Sequence, residues 1–389
     1  MTVTLADVAA RARVSPATVS RVLNGNYPVA ASTRERVLRA VAELDYVPNG
    51  PASSLAAATS DLVGILVNDI ADPFFGIIAG AAQGAIGESG AGRGGPGQTG
   101  TGRGGTGPGG GAQAVGAHAA GAQTGGAQAG GAQAGGGEKL AVVCNTGGSP
   151  ERELTYLTLL QRQRAAAVIL TGGSLEDPGH LAATAAKLAR LTEAGTRVVL
   201  CGRPPLSGDV SAATLAFDNR TGARRLTEHL LSLGHRRIGY VAGPADRTTT
   251  RHRLEGHQAA LAAAGVAEGP TVHGRYDRPS GYDATSELLR LDPDLTAVVA
   301  ANDTVALGVC AALRERGLSI PGDVSVAGFD DLPFSVDAMP ALTTVRLPLY
   351  EAGARAGRLA LGAEAAPPGG LTTIPAELVV RGSTAAPRA

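Results

Sequence analysis

The chain has 389 residues, 44% of them hydrophobic, and its 34 basic residues balance its 34 acidic ones. This length is sufficient for a small module and one or two ordinary domains. We find no run of about 18 uncharged apolar residues and no secretion signal at the N-terminus, so we expect a cytoplasmic protein without a membrane partner. The three cysteines lie apart in apolar strings, which argues against a disulfide framework or a metal site.

Three short amphipathic helices are predicted at the N-terminus. Apolar residues recur with helical spacing in three segments, 5–9, 19–23 and 37–44. A capping residue precedes each segment: Thr4, Ser15 and Ser32. Only about three residues separate the first two helices, which forces the steep crossing of a helix-turn-helix. We therefore assign residues 1–48 to a DNA-binding domain.

The second helix is predicted to enter the major groove of DNA. Arg21 can donate two hydrogen bonds to guanine, which would supply roughly 1–3 kcal/mol of base discrimination. The candidate DNA contacts around this helix are Thr4, Ser15, Pro16, Ala17, Thr18, Ser20, Arg21 and Asn24. Residues 1–58 carry six arginines against four acids, a modest excess of two positive charges. A three-helix cap without a DNA role is therefore the alternative.

The N-terminal strings resemble the lactose/galactose repressor (LacI/GalR) family. VTLADVAARARVSPATVSRVLNG, STRERV, ELDYVPN and SSLA stand where that family keeps them. The resemblance implies a homodimer on a pseudo-palindromic operator, and a hinge helix within 49–60 whose Leu55 wedges into the minor groove. Two departures are present. Arg13 stands in a turn where a residue tolerant of positive φ is common, and Pro51 and Ser53 alter the hinge.

Residues 90–137 have the composition of a disordered insertion. They include 22 glycines in 48 residues and four copies of GAQ. Such a segment cannot bury enough apolar surface to offset its chain entropy. GRGGPG matches a dinucleotide-binding pattern, but no strand precedes it and no helix follows, so we expect no nucleotide cofactor.

The remaining chain alternates apolar strands with helices, which predicts an α/β core of parallel sheets covered on both faces. The strands are predicted at 62–67, 139–145, 166–170, 197–201, 237–243, 297–302 and 324–330. There are too many for one sheet, and a break falls near 203–217. We therefore expect a two-lobed core over 61–382. The predicted limits are 61–204 and 342–365 for lobe 1, with the insertion inside it, and 205–341 and 370–382 for lobe 2.

Polar and aromatic residues follow several of these strands and predict a ligand cleft between the lobes. Carboxylates, an amide and guanidinium groups beside aromatic rings suit the hydroxyls and apolar face of a sugar. The candidates are Asp72, Phe74, Phe75, Arg203, Arg253, Asn302 and Asp330. Taken singly, Asp72 can be a helix cap, Phe74 and Phe75 core residues, and Asp330 a turn residue.

The family resemblance covers nearly all of residues 2–382 outside the insertion and implies a core similar to periplasmic sugar-binding proteins. It places the same seven candidates at sugar-contacting positions and adds Arg247, which matches a position of purine-responsive relatives. Gly202 and Leu347 stand where sugar binders often keep Asp and Gln. The resemblance therefore implies an effector with a different pattern of hydroxyls.

Two other classes of function compete with a DNA-binding regulator. A sugar-processing enzyme would need catalytic signatures, and we find no nucleophile elbow, no P-loop and no metalloprotease motif. A cytoplasmic or secreted sugar-binding protein without a DNA role would leave the N-terminal module unexplained. We therefore predict a non-enzymatic, homodimeric repressor without cofactor or metal, whose operator affinity a sugar controls.

Overall fold

The computed structural model describes residues 5–24, 29–44, 60–91, 139–206 and 211–388. These residues divide into an N-terminal unit and a core unit, and residues 5–44 belong to the first. Residues 92–137 of the glycine-rich insertion and all of the predicted hinge except Ser60 lie outside the described residues, whereas Gly90 and Ala91 belong to a helix and not to the insertion. Among the described helices, none has the length and apolar content needed to cross a bilayer.

The N-terminal unit contains three helices, as predicted: α1 (Leu5–Ala12), α2 (Pro16–Asn24) and α3 (Ala31–Glu43). One side chain from each helix, Val8, Val19 and Val37, is fully buried in a shared core. Arg13, in the turn between α1 and α2, has a φ of 53°. The turn therefore demands the positive φ that Arg13 adopts only at some cost in free energy.

The first lobe of the core is built on a six-stranded sheet in which every pair of neighbouring strands is parallel. Its strands are β1 (Leu62–Val67), β2 (Leu140–Asn145), β3 (Ala167–Thr171), β4 (Arg197–Cys201), β5 (Ala212–Phe217) and β11 (Leu371–Ile374), in the order β11-β5-β4-β3-β1-β2. Alternate side chains of β3 enter opposite cores, Ile169 on one face and Val168 on the other. Four helices cover the two faces: α4 (Pro73–Ala91) with α11 (Leu349–Leu361), and α5 (Pro150–Arg162) with α6 (Pro178–Glu193).

The second lobe repeats this arrangement on a smaller scale. Its parallel sheet has the order β7-β6-β8-β9 and consists of β6 (Ile238–Ala242), β7 (Thr271–His273), β8 (Ala297–Ala300) and β9 (Ser325–Ala327). The helices are α7 (Asn219–Ser232), α8 (Thr248–Ala263), α9 (Arg278–Leu291) and α10 (Asp303–Glu315). Two further strands, β10 (Thr344–Arg346) and β12 (Glu377–Val379), form an antiparallel pair. The predicted two-lobed α/β class is confirmed.

The predicted limits of the lobes are wrong in three places. The segment 342–365 was expected in lobe 1, but its start, with β10, lies beside the second sheet, where Ala327 forms a bridge with Thr343 and Asp330 with Arg346. The segment expected to be a break, 203–217, contains β5, which pairs with β4 and β11 inside the first sheet. Strand β11 was expected in lobe 2 but also belongs to the first sheet. The chain therefore passes between the lobes after Phe217, between β10 and α11, and after Ile374. The composition of AATLAF hid β5, because its small residues carry a weak apolar signal.

Candidate functional site

The N-terminal unit presents one face of α2 to solvent. The Ser15 hydroxyl accepts a hydrogen bond from the Thr18 amide at 3.2 Å and so caps the helix. Pro16, Ala17 and Arg21 are exposed beyond this cap, whereas Thr18 and Ser20 are half-buried. These residues form the surface that the sequence assigned to base reading.

Three other predicted DNA contacts cannot be placed. Asn24 ends α2, but its side chain is outside the described residues, as are Thr4 and Leu55. Two arginines of this unit are paired with acids: Arg11 lies 2.5 Å from Glu43, and Arg39 lies 2.9 Å from Glu35. These pairs reduce the positive charge left for DNA phosphates.

In the core unit, a cavity of about 400 Å³ lies between the two lobes. It is lined by residues that follow strands of both sheets, because the carboxyl ends of parallel strands meet at one edge. The first lobe contributes Asn68, Asp69, Asp72, Phe74, Phe75, Gly147, Gly148, Gly172, Gly173, Gly202 and Phe217. The second contributes Asn219, Pro244, Arg247, Thr249, Arg253, Arg275, Tyr276, Asp277, Asn302 and Asp330. Seven of the eight predicted effector residues are therefore brought together.

Arg253 is fixed in the cavity wall by four contacts. Its Nη2 donates to Asp330 Oδ1 at 2.7 Å, and its Nε donates to Asn219 Oδ1 at 2.9 Å. Its Nη1 donates to the Ala301 carbonyl at 2.6 Å, and the guanidinium lies 3.7 Å from the centre of the Phe329 ring. Three of the five guanidinium N–H groups donate within the protein and Asp330 balances the charge, so Arg253 is held rigidly in the cavity wall.

Asp330 lies at the end of the second sheet with 3% of its surface exposed. Burial raises the pKa of this carboxyl, and the charge and hydrogen bond of Arg253 oppose the rise. Its φ of 101° is unfavourable for a residue other than glycine. Strain of this kind persists where the surrounding contacts demand it, which is common in ligand sites.

The loop that carries Asp330 is positioned by the neighbouring Asp303. One carboxylate oxygen of Asp303 accepts from the Leu332 amide at 2.7 Å and from Ser335 Oγ at 2.8 Å. The other accepts from Thr344 Oγ1 at 2.6 Å. Burial, followed by the charge of Asp330, raises the pKa of Asp303 to about 7, although these three hydrogen bonds lower it. Asp303 thus holds the loop without lining the cavity.

Asp72 is the candidate ligand-binding carboxyl of the first lobe. Its Oδ1 accepts the Phe74 amide at 3.0 Å and caps α4. Burial raises its pKa to about 6; the Phe74 hydrogen bond and Arg253 lower it, and Asp330 and Asp69 raise it. The helix-cap interpretation is therefore correct as far as Oδ1 is concerned. A ligand hydroxyl that donates to the remaining oxygen would stabilise the ionised form.

Three aromatic rings form the apolar part of the cavity wall. Phe74 lies edge-on to Phe75 with ring centres 5.0 Å apart, and edge-on to Phe217 at 6.2 Å. All three rings are at least nine-tenths buried, so their positions are fixed by packing. Phe74 and Phe75 are thus core residues as well as lining residues. Such a wall can cover the apolar face of a sugar ring.

The structure does not bring Arg203 to this cavity, and its assignment as an effector contact is corrected. Its Nη2 and Nη1 donate to Glu153 at 2.5 and 3.1 Å, and His180 Nε2 lies 3.2 Å from the same carboxylate. Burial alone would raise the pKa of Glu153, but Arg203 and His180 hold it well below its ordinary value. Arg203 borders an adjoining cavity of about 190 Å³, which shares Gly202, Phe217, Asn219 and Thr249 with the larger one. The positive charge of Arg203 is balanced by Glu153, which lies 50 positions earlier in the chain.

Arg247 lines the cavity but also spans it. Its Nη2 donates to the Gly148 carbonyl of the first lobe at 2.7 Å. Asn302 caps α10 by accepting the Val305 amide at 2.8 Å on its Oδ1, which leaves its amide nitrogen as the group that can donate to a ligand. Gly202 lines the cavity with a φ of 84°, a conformation that favours glycine, so the absence of Asp there has a backbone reason. Leu347 is buried and is not among the lining residues.

Several residues that line the cavity were not predicted from the sequence. Phe217 and Asn219 were hidden with β5, and recognising that strand would have placed them at a strand end like the other candidates. Tyr276 follows β7, a strand of only three residues without a clear apolar run. No group of three or more His, Cys, Asp or Glu side chains suited to a metal ion is present in the part of the chain that the structure describes.

Comparisons with known proteins agree with both units. Residues 4–49 match the family model for bacterial regulatory proteins of the lacI family, and residues 227–384 match a periplasmic binding protein-like domain. The transcriptional regulator MalR of Streptomyces coelicolor is 35% identical over 99% of this chain and 97% of its own length.

Two solved structures are similar over nearly the whole chain. The lac repressor dimer bound to operator and the anti-inducer ONPF has a TM-score of 0.69 at 27% identity, covering 99% of this chain and all of that one. The complex of the regulator CelR with cellobiose has a TM-score of 0.61 at 30% identity, covering 98% and 99%. From its helix-turn-helix unit, its two-lobed core and relatives that match along almost its full length, the chain belongs to the lacI family of bacterial regulatory proteins.

Proposed function

We propose that this chain is a cytoplasmic transcriptional repressor whose affinity for operator DNA is controlled by a neutral sugar bound between the lobes. The observation that carries the proposal is the composition of the cavity wall. An incompletely bonded carboxylate, an amide nitrogen and three fixed aromatic rings face one space. Hydroxyl groups and an apolar ring face are the two features that such a wall recognises.

A neutral ligand is favoured over a phosphorylated one because the arginines at the cavity already have partners. Arg253 donates from all three nitrogens to protein acceptors, and Arg247 is held by Gly148. Arg275 is 85% exposed and lies 3.9 Å from Asp277. Asp330 balances the charge of Arg253, and Asp72 adds a further negative charge once it is ionised above about pH 6, which would repel a phosphate.

The proposed mechanism is a population shift. A homodimer places one α2 helix on each half of a pseudo-palindromic operator, while sugar binding changes the balance between lobe orientations. A coupling free energy of about 1–3 kcal/mol between the two sites would change operator affinity roughly 5- to 150-fold. The relatives support this division of labour, since the lac repressor was solved on its operator and CelR with cellobiose.

Thermal unfolding of the full chain with matched neutral and phosphorylated sugars tests the proposal. A ligand present at 100 times its Kd stabilises the folded state by about 2.7 kcal/mol, enough to raise the Tm by several degrees. We expect such a rise with a neutral mono- or disaccharide and none with glucose 6-phosphate. The Asp72→Asn variant should lose the response. A rise with the phosphorylated sugar alone, or none with any neutral sugar, would contradict the proposal.

A further inference from the structure

A direct contact between the lobes lies beside the cavity. The segment 173–176, which follows β3 in the first lobe, meets the segment 246–251, which contains the first turn of α8 in the second lobe. We call these two segments together the latch. They come from different sheets, and within the core the described chain connects the two lobes only at the three crossings described above.

Three hydrogen bonds join the halves of the latch, two between backbone groups and one from a backbone amide to a side chain. The Thr248 amide donates to the Ser174 carbonyl at 3.0 Å, and the Glu176 amide donates to the Asp246 carbonyl at 2.7 Å. The Ser174 amide donates to Thr248 Oγ1 at 3.0 Å. Leu175 and Arg247 form an antiparallel bridge at the centre. The latch thus has the hydrogen-bonding pattern of a very short sheet built across the two lobes.

An ion pair flanks these hydrogen bonds. Arg251 Nε lies 2.7 Å from Glu176 Oε1, and the two side chains are 44% and 25% exposed. Arg251 also lies 2.7 Å from Glu255 of its own helix, which orients the guanidinium. A partly exposed pair of this kind is weakened by salt.

The centre of the latch is buried while the lobes are together. Ser174 is 2% exposed and Thr248 is 6% exposed. If the lobes separated, water would accept a hydrogen bond from the Ser174 amide. Removing the Thr248 hydroxyl would therefore raise the free energy of the closed arrangement and leave that of the open arrangement unchanged. The Ser174 hydroxyl has no hydrogen-bond partner among the described groups. Burying it in the closed arrangement therefore costs free energy that no hydrogen bond offsets.

We propose that the latch makes the closed arrangement of the lobes the more populated one before any ligand arrives, without locking it, so that the cavity is largely preformed and a sugar that binds the closed lobes still shifts the remaining open molecules. The apparent Kd of a ligand is its intrinsic Kd divided by the fraction of the protein that is in the binding-competent state. A protein that already populates this state therefore binds its ligand more tightly. The consequence for the effector rests on the proposed function. The closure itself does not, and it can be measured in the ligand-free chain.

The experiment is a distance measurement between spin labels in the full chain without ligand. Cysteines introduced as Ala186→Cys and Ala262→Cys place one exposed label on each lobe, and the three natural cysteines are buried. Labelled chains are diluted with unlabelled ones, so that distances within one chain dominate in the proposed homodimer, and we expect a major distance from the closed arrangement and a minor one from the open arrangement in the parent chain. Thr248→Val keeps the shape of the side chain, removes the acceptor for Ser174, and should lower the ratio of closed to open molecules roughly 5- to 150-fold. Thr285→Val, whose hydroxyl bonds only within α9, is the matched control and should leave the distribution unchanged.

Two further variants separate the parts of the latch. Added salt should broaden the distribution in the parent chain and much less in Glu176→Gln, whereas Glu228→Gln, which breaks a pair within α7, should retain the parent response to salt. Ser174→Ala removes the unbonded hydroxyl and should keep or sharpen the closed distribution. If Thr248→Val and the parent chain gave the same ratio of closed to open molecules at low and high salt, the latch would be refuted, whether or not a sugar binds.

Discussion

Asp72 should make the folded protein less stable at neutral pH than an amide at the same position. Burial is the main cause that raises the pKa of this carboxyl from 3.8 to about 6. At about 1.4 kcal/mol for each pKa unit, ionising Asp72 in the folded state therefore costs roughly 3 kcal/mol more than ionising it in the unfolded chain. Asp72→Asn removes this cost and keeps an acceptor for the Phe74 amide, since Asn caps helices as well as Asp does.

The sign of the pH dependence follows from the raised pKa. A group whose pKa is higher in the folded state favours folding when it is protonated, and this contribution is lost as the pH rises from about 4 through about 6. Asp72→Asn should therefore equal the parent chain in stability near pH 4. Above pH 7 it should exceed the parent by up to roughly 3 kcal/mol.

Urea unfolding of the parent chain and of Asp72→Asn, at several pH values between 4 and 8, measures this difference as a change in the free energy of unfolding of the core. Asp69→Asn is the matched control, because Asp69 lies in the same loop and is exposed. It should shift stability by only a few tenths of a kcal/mol. An Asp72→Asn variant that is no more stable than the parent at pH 7.5 would refute the reasoning. A gain in stability together with loss of the sugar response would show that this carboxyl is kept for its ligand.

Three other perturbations test separate parts of the account. Arg253→Met leaves the buried Asp330 carboxylate without its ion-pair partner and should lower the free energy of unfolding by about 3–5 kcal/mol. Adding Asp330→Asn should recover part of this loss, and if it does not, the ion pair is not the cause. Arg21→Ala should remove preference for the operator in binding assays and leave sugar affinity intact, so equal loss of both would contradict separate sites. Deleting 92–137 should change neither Tm nor operator affinity, whereas a collapse of either would show that the insertion is structural.

The sequence predicted the fold where its apolar pattern was strong. RVVLC was assigned to 197–201 and LVGILV to 62–67, and both agree with β4 and β1, because continuous buried strands leave continuous apolar runs. AATLAF carries small residues, and the tripeptide strand β7 is too short to show a period. Strand β11 was placed in the wrong lobe, since its pairing with β5 joins residues more than 150 positions apart.

The same limit applies to the candidate site. Asp72, Asn302 and Asp330 were found because each of them stands shortly after a strand, and parallel strands bring those positions to one edge. Arg253 was expected to open a helix; it lies in the second turn of α8 and still lines the cavity. Arg203 also stands shortly after a strand but pairs with Glu153 on α5, and no local pattern announces that long-range contact. Which of the residues at a strand end face the cleft is decided by side-chain partners that only the tertiary structure supplies.

The most direct test of the central claim is the affinity of the full chain for a symmetric operator, measured with and without the sugar that stabilises the core. The operator is first selected from random duplexes, and the titration is repeated at two salt concentrations, since phosphate contacts make affinity depend on salt. We predict a salt-sensitive preference for one symmetric site and at least a roughly fivefold change of its Kd on adding the sugar. A chain without such a preference, or one that binds the sugar at an unchanged operator Kd, would contradict the account.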